Sequence, residues 1–182
     1  MSRSVRIVLL CEDRQHETFV KQFLLKDGWN VRNIRPVISP HGRGSAEQFV
    51  RERFPIELQA VRAKRGERVW LIVMIDGDDQ GVAARRASLD DACTARGIAA
   101  VDRSENVLIC VPTWSIETWF AFLDGEDVDE TRRDYPRLPR VRHCQRHVDE
   151  LSERCRQDRQ SAPLPPSLED ACVQYRRLPL RQ

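Results

Sequence analysis

Residues 69–81 read VWLIVMIDGDDQG, and this stretch decides the fold. Val69 to Ile75 form a short, unbroken apolar run rich in β-branched side chains, the mark of a strand buried on both faces. The run passes straight into Asp76, Asp78 and Asp79. Carboxylates this close repel one another unless a positive group lies among them. Gly77 lets the backbone turn tightly between the first two. A buried strand ending in concentrated negative charge places a candidate site at its C-terminal end.

The same pattern repeats on either side. Residues 5–11, VRIVLLC, predict a first buried strand, followed at once by Glu12 and Asp13. Residues 14–26 predict a helix whose inner face is Phe19, Val20, Phe23 and Leu24, ended by Gly28. A second strand is expected over roughly 30–38, closed by Pro40 and the loop HGRGS. Ser45 is placed to cap a helix running to about residue 64, with Phe49, Val50, Leu58 and Val61 inward. After the opening stretch a helix is expected at about 80–96, ended by Gly97, then a fourth strand in NVLICV, 106–111. TWSIETWFAFL, 113–123, follows Pro112 as a short helix.

Strands alternating with helices predict βαβ units, an α/β fold with a mainly parallel sheet of about four strands. From Asp124 the character changes. Residues 124–143 have few apolar side chains and read as an exposed excursion, and 141–158 read as a polar, arginine-rich helix. SAPLPPS, 161–167, reads as a linker or turn, and SLED, 167–170, as a helix start with Ser167 as cap. The expected organisation is an α/β domain over 1–124 and a polar helical C-terminal appendage over 125–182, packed on or extending the same domain.

Of 182 residues, 41% are apolar, enough for a core, and 32% are charged. The net charge of +2 does not by itself argue for nucleic acid. Lys21, Lys26 and Lys64 are the only lysines among 30 basic residues; the rest are arginine. The six cysteines show no CxxC spacing, and Cys11 and Cys110 sit in strand-like runs as small core residues. No run approaches the roughly 20 apolar residues of a membrane span, and MSRSVRIVLLCEDR is too short an apolar run for a leader. The expectation is a soluble protein of the reducing cytoplasm.

In a parallel sheet the strand ends open on one edge, where such sheets bind ligands. Glu12 and Asp13, then Asp76, Asp78 and Asp79, then Ser115 and Glu117 all fall there. Oxygen donors of this kind suit a hard divalent cation, Mg²⁺ or Mn²⁺. Carboxylate-held Mg²⁺ keeps positions open for water and phosphate oxygens, which favours phosphoryl chemistry. No GxSxG, Walker lysine loop or GxGxxG is present.

These pieces resemble the Toprim domain shared by topoisomerases, bacterial primases and OLD-family nucleases. The matching stretches are IVLLCEDRQHETF, LIVMIDGDD and TWSIETW, and the resemblance covers roughly residues 4–124. It looks most similar to small stand-alone Toprim nucleases that accompany an ATPase in phage-defence systems. The resemblance implies a metal-dependent endonuclease with Glu12, Asp76, Asp78 and Glu117 as metal ligands and catalytic groups. Glu12 doubles as an acid or base, and Ser115, His16 and Glu17 stand nearby. The chain departs from the family pattern in three places. Asp13 replaces a glycine. The second glutamate falls at Glu17 rather than at position 16, turned by about 100° on a helix. No lysine follows the Ser-x-Glu element, leaving Arg140, Arg142 or His143 as positive groups.

For nucleic-acid contact, DNA ahead of RNA, the candidates are Arg43 in HGRGS and Arg132, Arg133, Arg140 and Arg142 in the arginine-rich excursion, with Arg137 among them. Trp119 is expected in the core, while Trp114 is either core or a base-stacking surface. His143, Cys144, His147 and Cys155 lack a second pair at zinc-finger spacing and read as a solvated helix. Two alternatives stand beside the nuclease: an inactive Toprim-like subunit that binds a partner, and a receiver-like signalling domain with Asp76 as phosphate acceptor. The second lacks the late lysine that receivers need.

Overall fold

The computed structural model describes residues 5–40, 45–64, 67–156 and 163–179. Arg43 and most of the HGRGS loop lie outside these residues. The chain runs β1 (Arg6–Cys11), α1 (Arg14–Lys26), β2 (Ile34–Ile38), α2 (Ala46–Arg62), β3 (Val69–Met74), α3 (Gly81–Thr94), β4 (Val107–Cys110), α4 (Ile116–Leu123), α5 (Gln145–Arg156) and α6 (Pro166–Tyr175). The four strands form one sheet in the order β2-β1-β3-β4, and every pairing is parallel. The fold is therefore the α/β architecture that the strand–helix alternation predicts.

The period-2 alternation of strands divides the core in two. Ile7, Leu9 and Cys11 of β1 and Trp70, Ile72 and Met74 of β3 face one side, packed with Phe19, Phe23, Trp119, Leu151 and Leu168 from α1, α4, α5 and α6. Val8, Leu10, Leu71, Val73 and Ile109 face the other, against Val50, Phe54 and Leu58 of α2 and Leu89 of α3. Helices thus cover both faces, which is why the β1 and β3 sequences are apolar throughout.

Some boundaries differ from the sequence reading. The second strand is preceded by a 3-10 turn, Val31–Asn33, where the Asn30 side chain accepts from Arg32 N. The helix expected over 141–158 begins as a 3-10 turn, Val141–Cys144, and becomes α5 only at Gln145. It is not a solvated helix: His147, Val148, Leu151, Ser152 and Cys155 are buried. That spacing is one amphipathic face, hidden in the sequence by the arginines around it. Ser167 is not the cap of α6. Pro165 holds that position with Pro166 next, as suits a proline that needs no amide partner. The C-terminal helices are packed on the α/β domain, where they complete the cover of one sheet face.

Cys155 and Cys172 are joined by a disulfide between α5 and α6. In the reducing setting expected from the sequence, the pair would be thiols. Among the described residues, no helix is long and apolar enough to cross a membrane.

Candidate active site

The strand order reverses between β1 and β3: the chain steps outward to β2, then returns across β1 to β3. Such a switch point opens a crevice at the carboxyl ends of the two strands. Glu12 leaves β1 and Asp76 follows β3 at that point. Glu12 Oε1 accepts a hydrogen bond from the Asp76 backbone N–H at 2.8 Å. Burial pushes the Glu12 carboxyl up to about 7, and the Asp76 charge adds to the rise, opposed by His16 and by the Asp76 N–H.

His16, in the first turn of α1, is wholly buried, and its Nε2 lies 3.0 Å from Asp76 Oδ1. Its position is set by Asp13, whose side chain caps α1 through the His16 N–H at 2.9 Å. Burial alone lowers a histidine. Here the Asp76 charge and hydrogen bond, with Asp13 and Glu12, outweigh it and lift His16 to about 9. Its other ring nitrogen, Nδ1, is buried without a hydrogen-bond partner.

Asp78 is turned the other way. Its Oδ2 accepts from Arg85 at 2.8 Å. Arg85 is 2% exposed and lies on α3, and its Nε donates to the Asp76 carbonyl at 2.8 Å. A third guanidinium nitrogen lies 2.5 Å from Glu47 Oε1 on α2. Burial raises the Asp78 carboxyl above its usual range, with Arg85 opposing. Arg85 and Glu47 were not among the residues singled out from the sequence. Their signal was weak: an Arg-Arg pair on a helix does not say which member turns inward.

The β3 and β4 ends are stitched together. Gly77 N donates to Pro112 O at 2.9 Å and Asp78 N to Trp114 O at 2.8 Å. A Cβ on Gly77 would lie 3.0 Å from Pro112 O, so any other residue would have to push the Pro112 carbonyl back. The stitch brings Ser115, at the N-cap of α4, and Glu117, in its first turn, to the same edge. Ser115 makes no capping bond with its side chain. Glu117 is 13% exposed at its side chain and lies 4.0 Å from the Arg137 guanidinium.

Other candidates fall elsewhere. Glu17 is buried between Arg14 and Lys21, each at 3.2 Å, and is spent on α1 rather than on the Glu12–Asp76 pair. Asp79 is exposed. Arg132 pairs with Asp134, while Arg133 lies over the Trp114 ring. Arg140, Arg142 and His143 are exposed in and before the 3-10 turn. Trp119 is core, with its indole N–H on Ser167 Oγ at 2.8 Å. His147 is buried against Asp124 Oδ1 at 2.9 Å, and Cys155 is in the disulfide, so neither belongs to a zinc set.

The donors at the edge are hard oxygens, the kind a divalent cation takes. Two of them, Glu12 and Asp76, stand close enough for the Asp76 charge to raise the Glu12 carboxyl. Among the described residues, no group of three or more histidine, cysteine, aspartate or glutamate side chains is drawn together tightly enough to hold a metal. Compared with protein-family models, curated proteins and solved structures, the chain gives no match.

Proposed function

We propose that this chain is a nuclease that hydrolyses nucleic-acid phosphodiester bonds, DNA ahead of RNA, with Mg²⁺ or Mn²⁺ as cofactor. The observation that carries the reading is the meeting of Glu12 and Asp76 across the switch point, where the Glu12 carboxyl sits on the Asp76 N–H and feels the Asp76 charge, with Asp78 and Glu117 at the same edge. Mg²⁺ is commonly held by one or two carboxylates together with substrate phosphates, so a pair suffices to begin a site. Glu12 and Asp76 would hold the cation, joined by Glu117 and by Asp78 on leaving Arg85. When bound, such a cation supplies Lewis-acid polarisation of a phosphoryl oxygen and a more acidic water.

The chain's own residues have separate tasks. Glu12, raised to about 7, can hold or release a proton near neutrality. His16 orients Asp76 from within the core. Arg85 fixes the turn through the Asp76 carbonyl. The arginine-rich loop supplies phosphate contacts. Service beside an ATPase in a cytoplasmic phage-defence system is part of the proposal and rests on the Toprim resemblance.

A second reading, an inactive partner-binding subunit, is favoured by the internal partners of Asp76, Asp78 and Glu117. Calorimetric titration of Mg²⁺ and Mn²⁺, run beside a cleavage assay on plasmid and single-stranded DNA, separates the two. We expect the Asp76→Asn/Asp78→Asn variant to lose metal binding. Cleavage should fall by more than about 100-fold, the upper end of the loss when a supporting outer partner is removed. Cleavage unchanged in the folded variant would exclude the nuclease reading.

A further inference from the structure

Among the described non-glycine residues, only Asp78 and Trp114 have positive φ, at 47° and 60°. They are paired with each other in the isolated bridge that joins the β3 and β4 ends. Aspartate tolerates this left-handed region, whereas a bulky aromatic does not. Glycine would hold the turn without strain, yet the position carries an indole. Strain of this kind persists where the side chain has a task.

Core packing does not account for that task. Trp29, Trp70 and Trp119 are buried at 6%, 8% and 2% exposure, whereas Trp114 remains partly exposed. The exposed Arg133 lies over its ring, 5.9 Å from the centroid. Glu117 is three residues further on, and Asp78 is hydrogen-bonded to the Trp114 backbone. An aromatic face therefore stands at the lip of the acidic edge, with a planar cation resting on it and an arginine-rich loop beyond.

We propose that Trp114 and Arg133 form a stacking platform for an unpaired nucleobase, which makes single-stranded or frayed nucleic acid the preferred substrate of this edge. The inference rests on the nuclease reading and names its substrate class. A guanidinium stacks on an aromatic ring much as a base does, so Arg133 keeps the place of the base. On binding, the base takes the indole face and Arg133 turns to a phosphate. A base within a duplex already has both faces stacked and cannot use the platform.

The test is binding of a fluorescein-labelled oligothymidylate and of a blunt duplex, with chelator present so that cleavage does not enter. Wild type should prefer the single strand, and saturation should quench tryptophan emission, because Trp114 is the partly exposed one of the four tryptophans. Trp114→Gly should weaken single-strand binding roughly ten- to hundred-fold without lowering the melting temperature, because glycine suits the backbone there. Trp114→Phe should keep most of the affinity, and duplex binding should not change. A merely structural Trp114 gives the opposite pattern, a lower melting temperature with unchanged affinity, and overturns the proposal. So does equal affinity for single strand and duplex, saturation without quenching, or no binding to either. Should Trp114→Gly fail to fold, the wild-type quenching and strand preference still decide. Cleavage that requires Asp76 but is indifferent to Trp114→Gly overturns the platform and leaves the nuclease. Stacking without any metal-dependent cleavage overturns the nuclease.

Discussion

Asp76 is held through each of its polar groups. Its N–H goes to Glu12, its carboxylate takes His16 Nε2, and its carbonyl oxygen takes Arg85 Nε. The first two contacts make the site's pH dependence calculable in sign. Glu12 rises from 4.5 to about 7 on folding and His16 from 6.5 to about 9. Both folded values lie above the unfolded ones, so the folded cluster binds more protons across this range. Its stability is fully present below the unfolded values and is lost as pH rises through the folded ones. In chelator, the melting temperature should therefore fall from pH 5 to pH 9. Glu12→Gln should remove the lower part of that fall, between 4.5 and about 7, and keep the upper part, which belongs to His16, somewhat reduced because the Glu12 charge also raises His16. Differential scanning fluorimetry across pH reads both. A melting temperature that climbs over this range in wild type would show that the cluster is not protonated as described.

At the scale of elements, α6 does more than cover the sheet. β4 is an edge strand, and an edge presents unpaired backbone groups. Gln174 meets them with both ends of its amide: Ile109 N donates to its Oε1 and its Nε2 donates to Ile109 O, each at 2.8 Å. Arg177 adds a donor to Val107 O at 3.1 Å. A side-chain amide here stands in for a neighbouring strand. Gln174→Leu keeps the volume but leaves the Ile109 N–H without its partner. The expected loss is about 1–3 kcal/mol, read by urea unfolding, with self-association through the freed edge seen by size-exclusion chromatography. A monomer of unchanged stability would show that the amide is incidental. This element was poorly legible in the sequence, and the reason is physical. β1 and β3 announce themselves because burial on both faces demands continuous apolar runs, and the acids that follow Cys11 and Ile75 mark the strand ends. In α5 and α6 the buried face is made of His147, Ser152, Ser167 and Gln174 as well as leucines. Ser167 and Gln174, satisfied by specific partners, look solvated until those partners are seen. Arg85 was missed for a similar reason, because its partners, the Asp76–Asp78 turn before α3 and the distant Glu47 on α2, are brought around it only by the fold.

At the scale of the molecule, the C-terminal third closes the sheet face that α1 and α4 leave open, and the Cys155–Cys172 bond ties the two closing helices together. Between them and the sheet remains an apolar cavity of about 60 Å³, lined by Phe23, Met74, Leu151, Leu168 and the disulfide itself. The closure also reaches the site. Ser167 Oγ accepts from Trp119 Nε1 and from Thr113 N, and it is hydrogen-bonded to Glu130 in the arginine-rich loop. One side chain of α6 therefore steadies both the β4-end loop that carries Trp114 and Ser115 and the loop that carries Arg133. The disulfide spans 17 residues, for which loop-closure entropy gives about 3 kcal/mol. Reduction with a dithiol should lower the unfolding free energy by about that amount. Hydrogen exchange should quicken in α6 first and then at Thr113 to Trp119, while α2 and α3, on the far face, keep their protection. The Cys155→Ala/Cys172→Ala protein should match the reduced wild type and not respond to reductant. Were reduction to leave stability and exchange unchanged, the closure would rest on packing alone, and the thiol state of the pair would be irrelevant to the site.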